Sequence, residues 1–259
     1  MIRKLKNILA AAFVCILLIC LATCLGISAG KHEKAVCSGI RISITDSTEC
    51  RFVSESEISE YIGREFGSCT GKPVGSIELS RIEKFLDNRS AVLKSEAYIT
   101  PDGMLNIDIT QRQPVIRFEG TSGGFYADRD GYIFPLRENY TSHVPIVNGH
   151  IPVRIKPGYK GPAPDEESEL WLRKILSMTN YMDRSRIWGE NIVQIYVREN
   201  GDLIMVPREG KERFIFGGPE SFEDKFMRMG KYYTAIRPSK EDGRYSTVNV
   251  KYDGQIICR

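Results

Sequence analysis

Residues 92–118 read VLKSEAYITPDGMLNIDITQRQPVIRF. Val92–Thr100 alternates and is rich in strand-forming residues. Leu105, Ile107 and Ile109 alternate with Asn106, Asp108 and Thr110, which gives one apolar and one polar face. Between the two runs, Pro101 presets φ and Gly103 tolerates positive φ, so Pro101-Asp102-Gly103-Met104 is a turn. The stretch is a hairpin. Gln113-Pro114 ends it, and from Val115 onward the pattern becomes mainly β.

Upstream of the hairpin, Ile40, Ile42 and Ile44 are separated by Arg41 and Ser43, so Val36–Ile44 holds a half-buried strand. Phe52-Val53 follows a polar turn. Ser54 and Glu57 form a capping box, and Ile58, Tyr61, Ile62 and Phe66 recur at helical spacing up to a stop at Gly67. A loop with Pro73 leads to a second helix, Leu79–Asp87, with Ile82, Phe85 and Leu86 on one face and Asn88-Arg89-Ser90 at its end. The order strand, helix, helix, strand, strand makes a small α+β domain with one buried layer interface.

Downstream, Val115–Phe118 is a short strand. Phe125–Ala127 and Tyr132–Leu136 flank the turn Asp128-Arg129-Asp130-Gly131. His143–Gly149 reads as a strand, and Pro152–Pro164 as a loop. Glu166–Asp183 is a helix with Leu172, Ile175, Leu176, Thr179 and Met182 on one face. Ile192–Val197, Leu203–Val206 and Arg213–Phe216 are strands. Ser221 is expected to cap a helix whose stripe is Phe222, Phe226, Met229 and Tyr233. Tyr245–Lys251 is the penultimate strand, Asp253-Gly254 a turn, and Gln255–Arg259 a short last strand. The second domain is therefore mainly antiparallel β with two helices.

The amino-terminal segment, residues 7–30, reads NILAAAFVCILLICLATCLGISAG and carries no charge. A helix of that length spans about 36 Å, enough to cross a hydrocarbon core with some tilt. Three readings compete: a single transmembrane anchor, a cleaved signal peptide, and a lipoprotein signal at Leu21-Ala22-Thr23-Cys24. The apolar run is longer than the core of a cleaved signal, about 7–15 residues. The best cut, after Ser28-Ala29, has bulky Ile27 before it, and Thr23 is unusual before a lipidated cysteine. The anchor reading is favoured. Arg3, Lys4 and Lys6 place the amino terminus inside. The expected organisation is a cytoplasmic tail over residues 1–6, a transmembrane helix over 7–30, a linker over 31–35, the small α+β domain over 36–113 and the β domain over 114–259.

The chain has 259 residues, 27% of them charged, and a net charge of +3 with no dense Lys/Arg block, so nucleic acid is not implied as a partner. Cys15, Cys20 and Cys24 lie in the apolar segment, where a thiol behaves as a small apolar group. Cys37, Cys50, Cys69 and Cys258 are widely spaced and form no Cys-x-x-Cys, so neither a zinc site nor a redox motif is supported. Disulfides suit an exported domain, but the sequence does not give their pairing. His143 and His150 sit in no metal-like or nucleophile-like motif, and neither Gly-x-Ser-x-Gly nor Ser-x-x-Lys accompanies them. Asp128-x-Asp130-Gly131 starts like a calcium loop, yet no suitably spaced Glu closes it, so it is read as a turn. Catalytic, cofactor-binding and metal-ligating residues are accordingly expected to be none, with no cofactor and no small-molecule substrate.

Four segments in order carry a resemblance. Ile109–Val115, with Arg112-x-Pro114, resembles the Arg-x-Pro junction of the FtsQ/DivIB cell-division family. Tyr126–Leu136 is similar to that family's Tyr-x-Asp-x-x-Gly hairpin. Val144–Gly149 resembles its Leu-Pro-x-x-x-Gly stretch, and Val248–Gly254 its last hairpin. The departures are a very short cytoplasmic tail, a chain that stops after the last strand, and Gln111 where Glu is common before the junction Arg. The resemblance implies a single-pass protein of the inner membrane with its domains in the periplasm, enriched at the septum. It implies a first domain of the POTRA type and a non-catalytic divisome scaffold that helps regulate septal peptidoglycan synthesis. Its partners would be FtsB-like and FtsL-like division proteins, with lipid contacting residues 7–30. By the same resemblance Tyr252 and Gly254 match a partner-binding hairpin. The strand after them, Gln255, Ile256, Ile257 and Cys258, would offer an edge for an added strand. The competing reading is a cell-envelope lipoprotein or exported enzyme on an unrelated β-rich domain.

Overall fold

The computed structural model describes residues 15–21, 23, 35–48, 50–120, 123–185, 187–239 and 245–259. The expected span over 7–30 falls largely outside them, as does Cys24; its described part, residues 15–21, is helical, with Ile16, Leu17, Leu18, Ile19 and Leu21 exposed. Among the described residues no helix is long and apolar enough to cross a membrane. The chain from residue 35 forms two compact units. One is built from residues 35–48 and Val53–Gln111, the other from Cys50–Phe52 and Arg112–Arg259.

The first unit runs β1 (Gly39–Ile44), α1 (Glu55–Phe66), α2 (Leu79–Asp87), β2 (Val92–Ile99), β3 (Met104–Gln111). The sheet order is β1-β3-β2, with β1 parallel and β2 antiparallel to β3. The central position of β3 explains why Leu105, Ile107 and Ile109 are fully buried while Ile40, Ile42 and Ile44 of β1 are half-buried. Ser54 caps α1 by accepting from the Glu57 N–H at 3.2 Å, and Gly67 ends it at φ 69°. Ile58 and Ile62 of α1 and Ile82 and Leu86 of α2 fill the layer against the sheet. Carboxylates of α2 hold β2: Glu83 accepts from the Ala97 N–H at 2.8 Å and Asp87 from the Ser95 N–H at 2.7 Å. At the end of β3, Gln111 is 1% exposed and has both ends of its amide engaged. Its Oε1 accepts from the Val53 N–H at 2.9 Å, and its Nε2 donates to Asp46 Oδ1 at 3.2 Å.

The second unit is a nine-stranded sheet in the order β12-β11-β10-β9-β8-β7-β4-β5-β6. Its strands are β4 (Pro114–Gly120), β5 (Gly123–Asp128), β6 (Ile133–Pro135), β7 (Ile146–Gly149), β8 (Ile192–Val197), β9 (Leu203–Pro207), β10 (Arg213–Gly217), β11 (Thr247–Asn249) and β12 (Ile257–Cys258). Antiparallel pairs predominate, as the alternating patterns and short turns imply. Three pairs are parallel: β4 with β7, β7 with β8, and β10 with β11. The two long helices account for two of these. α3 (Glu166–Arg184) connects β7 to β8, and α5 (Phe222–Lys231) connects β10 to β11. A helical crossover is what lets consecutive strands run parallel as neighbours. A short turn of helix, α4 (Trp188–Asn191), is added between α3 and β8.

One face of the sheet carries the main core. Leu172, Ile175, Met178 and Met182 of α3 and Phe226 and Met229 of α5 pack with Ile116, Phe118, Val147, Ile195, Phe214, Phe216 and Val248. Tyr126 and Phe134 belong to a second aromatic group with Phe52, whose ring meets Tyr126, Phe134 and Tyr140 edge-on at 5.3, 5.7 and 4.8 Å.

Several expected details differ. Ser221 makes no side-chain cap; it adopts φ 50°, and Lys225 Nζ instead donates to the carbonyls of Gly218 and Glu220 at 2.8 and 2.6 Å. The stripe reaches Tyr233, which is half-buried and packs on the core beside fully buried Tyr232. The α-helix itself stops short of it, and Tyr232–Ile236 is a π-turn. The strand expected over His143–Gly149 begins at Ile146, after Pro145, which has no N–H to give to a ladder. Tyr245–Lys251 and Gln255–Arg259 shrink to Thr247–Asn249 and Ile257–Cys258.

Candidate functional site

Two of the sequence segments singled out above meet in one cluster. Arg112 Nη1 donates to Asp128 Oδ2 at 2.8 Å, with both side chains largely buried. The Arg112 guanidinium lies over the Tyr132 ring, 3.5 Å from its centroid. Asp128 Oδ1 accepts from the N–H groups of Asp130 and Tyr132 at 3.1 and 2.8 Å. Gly131 takes the φ of 84° that closes this turn. Both Asp128 oxygens are thus committed to holding β4 to the β5–β6 turn. The third segment becomes β7 and ends at Gly149. A Cβ there would run into the Val197 carbonyl of β8, so the motif needs its glycine for close strand approach.

The fourth segment forms the end of the sheet. β11 lies parallel to β10, with Phe214 opposite Val248, and β12 folds back on β11 with Val248 opposite Cys258 and Asn249 opposite Ile257. Arg259 N donates to the Thr247 carbonyl at 2.9 Å, and Thr247 N and Ser246 N donate to the Arg259 carbonyl at 3.0 and 2.7 Å. Side chains alternate along this last segment. Ile256 and Cys258 pack against the core, while Ile257 is 40% exposed and Tyr252 52% exposed. Gly254 carries φ 68° in the connecting turn, and Gln255 N reaches the Tyr252 carbonyl at 3.4 Å. The six expected site residues are therefore brought together at one edge. They do not all face outward: Tyr252, Gly254, Gln255 and Ile257 are exposed, and Ile256 and Cys258 are partly covered.

The hairpin is braced by two residues that no sequence pattern marked, Asp202 and Arg228. Lys251 Nζ donates to both oxygens of Asp202 at 2.9 Å, and this bond is the main cause that raises the Lys251 ammonium above its usual range. Buried Arg228 of α5 donates from Nε to the Val250 carbonyl at 3.0 Å, and its Nη2 lies 3.6 Å from Asp253. A charged residue five positions before an expected helix stripe ends is an ordinary surface pattern, so Arg228 carried no signal. The opposite edge of the sheet is built differently. Ile133 of β6 exchanges hydrogen bonds of 2.7 and 2.9 Å with Gly161, so a loop covers it. β12 ends the strand order on its side, with β11 as its one strand neighbour among the described residues.

Other chemistry is not assembled in the same way. Among the described residues no group of three or more His, Cys, Asp or Glu is placed to hold a metal ion. A trough of about 1020 Å³ is lined by Gly124, Leu136, Gly149, Ile155, Tyr159 and Tyr196, and His150 at its rim lies 3.7 Å from Glu199.

Residues 35–110 match a family model described as a POTRA-like domain. Residues 113–259 match one described as FtsQ/DivIB, C-terminal related. No curated protein matches the chain. The second match covers more than half of the sequence, and it holds the Arg112-anchored turn's Asp128, the Gly149 strand end and the terminal hairpin in one domain; the chain belongs to the FtsQ/DivIB family, whose domains mark a cell-division scaffold and which is generally non-catalytic.

Proposed function

We propose that this chain is a membrane-anchored divisome scaffold that binds other division proteins outside the cytoplasm through its terminal edge and so helps regulate septal peptidoglycan synthesis. The anchor is the uncharged segment over residues 7–30, with the amino terminus in the cytoplasm and both units in the periplasm. The partners are FtsB-like and FtsL-like proteins that add an extended segment alongside β12.

The observation that carries this reading is the contrast between the two ends of the nine-stranded sheet. The β6 end is bridged by Gly161, whereas β12 ends the order with Ile257 and Tyr252 exposed beside it. An added strand gains main-chain bonds along such an edge, and alternate side chains give specificity. Ile257 is the outward side chain of that alternation, and Ile256 is an inward one. Photo-reactive residues at positions 252–258 should crosslink to an FtsB-like or FtsL-like protein in growing cells. In a pull-down, Ile257→Asp and Tyr252→Ala should each weaken capture by about tenfold or more while leaving the thermal transition in place. Full capture by both folded variants refutes the edge as the binding surface. Normal division on depletion refutes the scaffold role itself.

A further inference from the structure

Four cysteines outside the apolar segment were widely spaced in the sequence with no pairing to read. The first unit brings two of them to one place. Cys37, just before β1, lies against the loop that follows α1. Its N–H donates to the Lys72 carbonyl at 2.8 Å, and its carbonyl accepts from the Gly71 N–H at 2.8 Å. Lys72 N in turn donates to the Cys69 carbonyl at 3.2 Å, which folds Cys69 back in a tight turn toward the same strand. Val36 and Pro73 extend this pairing by one antiparallel bridge. Both thiols are almost completely buried, Cys37 at 1% and Cys69 at 2% exposure. Each now rests on a local carbonyl, Cys37 Sγ on Gly39 at 3.3 Å and Cys69 Sγ on Gly67 at 4.0 Å. Burial first, and the neighbouring Cys37 thiol as well, push the Cys69 thiol up, while Lys72 pulls it down.

We propose that Cys37 and Cys69 are a disulfide-forming pair that pins the start of β1 to the loop after α1 when the first unit is in an oxidising compartment. Both are thiols in this structure. In the reaction one thiol loses its proton, and the thiolate attacks a disulfide-bonded acceptor. The acceptor's S–S bond breaks and one acceptor sulfur leaves as a thiolate. The second cysteine, also deprotonated, attacks the mixed disulfide and releases the other acceptor sulfur. Two protons and two electrons pass to the acceptor, which is a low-molecular-weight disulfide in solution and a protein thiol oxidase in an exported compartment. Both thiols are covered, and burial also pushes the Cys69 thiol up, so the exchange waits on opening of the loop over residues 67–73. The cross-link closes a loop of about 30 residues, a length for which constraint of the unfolded chain is substantial.

The in-cell half rests on the export reading given above, so the test has two arms. In the first, full-length protein in detergent is equilibrated in a glutathione buffer rich in the disulfide form, quenched by alkylation in denaturant, and digested with trypsin without reduction. The expected product joins residues 35–41 to residues 65–81, two hydrogens lighter than the separate peptides. Alkylation of Cys37 and Cys69 should fall together by about tenfold or more. The thermal midpoint of the first unit should rise relative to reduced protein by about 5 °C or more, and Cys69→Ala should abolish that rise. Persistent alkylation of both cysteines, or linkage of either one to a different cysteine, overturns the proposal. In the second arm, cells are acid-quenched and alkylated before lysis. Linked peptide in cells supports the pair and the compartment together. Linked peptide in buffer with thiols in cells supports the pair and refutes export of this unit.

Discussion

Removing the Asp128 carboxylate tests how the start of the second unit is held. Asp128→Ala takes away three acceptor bonds at once: the ion pair to Arg112 at 2.8 Å and the two turn bonds to Asp130 and Tyr132. Arg112 is largely buried and over the Tyr132 ring, so its charge stays in place without its partner. Breaking a buried pair by deleting one side costs about 3–5 kcal/mol. The turn lies near the surface, where water takes over part of the lost bonding, so the lower half of that range, about 3–4 kcal/mol, is expected. Asp128→Asn keeps an oxygen for the two turn N–H groups and loses only the charge, so about 2 kcal/mol is expected. Arg112→Met should cost about 2–3 kcal/mol, and a double-mutant cycle between the two positions should return a coupling of about 2 kcal/mol. Both tryptophans of the chain, Trp171 and Trp188, lie in the second unit, so urea denaturation followed by tryptophan fluorescence reports that unit alone. A loss below about 1 kcal/mol for Asp128→Ala, or a coupling near zero, refutes the cluster as a structural anchor. Equal losses for Asn and Ala refute the part assigned to the turn bonds.

Two further outcomes follow from buried polar groups. Gln111→Glu removes the donor that Asp46 uses and sets a second carboxylate against it, so a loss of about 2–3 kcal/mol is expected at neutral pH, read as faster hydrogen exchange along β3 and at the Val53 amide; unchanged protection there sinks the assignment. Among the described residues the buried Tyr232 hydroxyl has no hydrogen-bond partner, so Tyr232→Phe should be neutral or stabilising by up to about 1 kcal/mol at pH 7 in the same fluorescence assay. Burial also pushes the Tyr232 phenol up to about 12 from 10.0, so the folded chain keeps a proton that the unfolded chain releases first. Stability from this source is complete below pH 10 and falls as the pH rises toward 12, by up to about 1.4 kcal/mol per pH unit. Tyr233, raised by burial and by Glu212, acts in the same direction. Tyr232→Phe should flatten part of that alkaline slope, and an unchanged slope counts against the buried-phenol explanation.

Local pattern and tertiary arrangement contributed different things. Period-two alternation and the Pro-Asp-Gly turn placed β2 and β3, and the helical stripes placed α1, α2 and α3 within a residue or so. These patterns repeat over a few residues, which is why they are readable from the chain. The π-turn at Tyr232 was not readable, because one inserted residue per turn leaves no mark in composition and is set by what the helix packs against. The short final strands were over-read for a related reason: an apolar alternation persists beyond the residues that find a backbone partner.

Sequence by itself determined the order of elements, the apolar faces, the uncharged amino-terminal segment and the four short motifs, since each depends on neighbours along the chain. Only the tertiary structure decided that Arg112 and Asp128 form one cluster, that β7 lies between two parallel neighbours, that Phe52 belongs to the second unit, and that Cys37 meets the turn at Cys69. It also divided the terminal segment into outward Ile257 and inward Ile256. The physical reason is the same in each case. Burial, partner and strand direction arise between residues far apart in sequence, and a local period says which face is apolar without saying what will cover it.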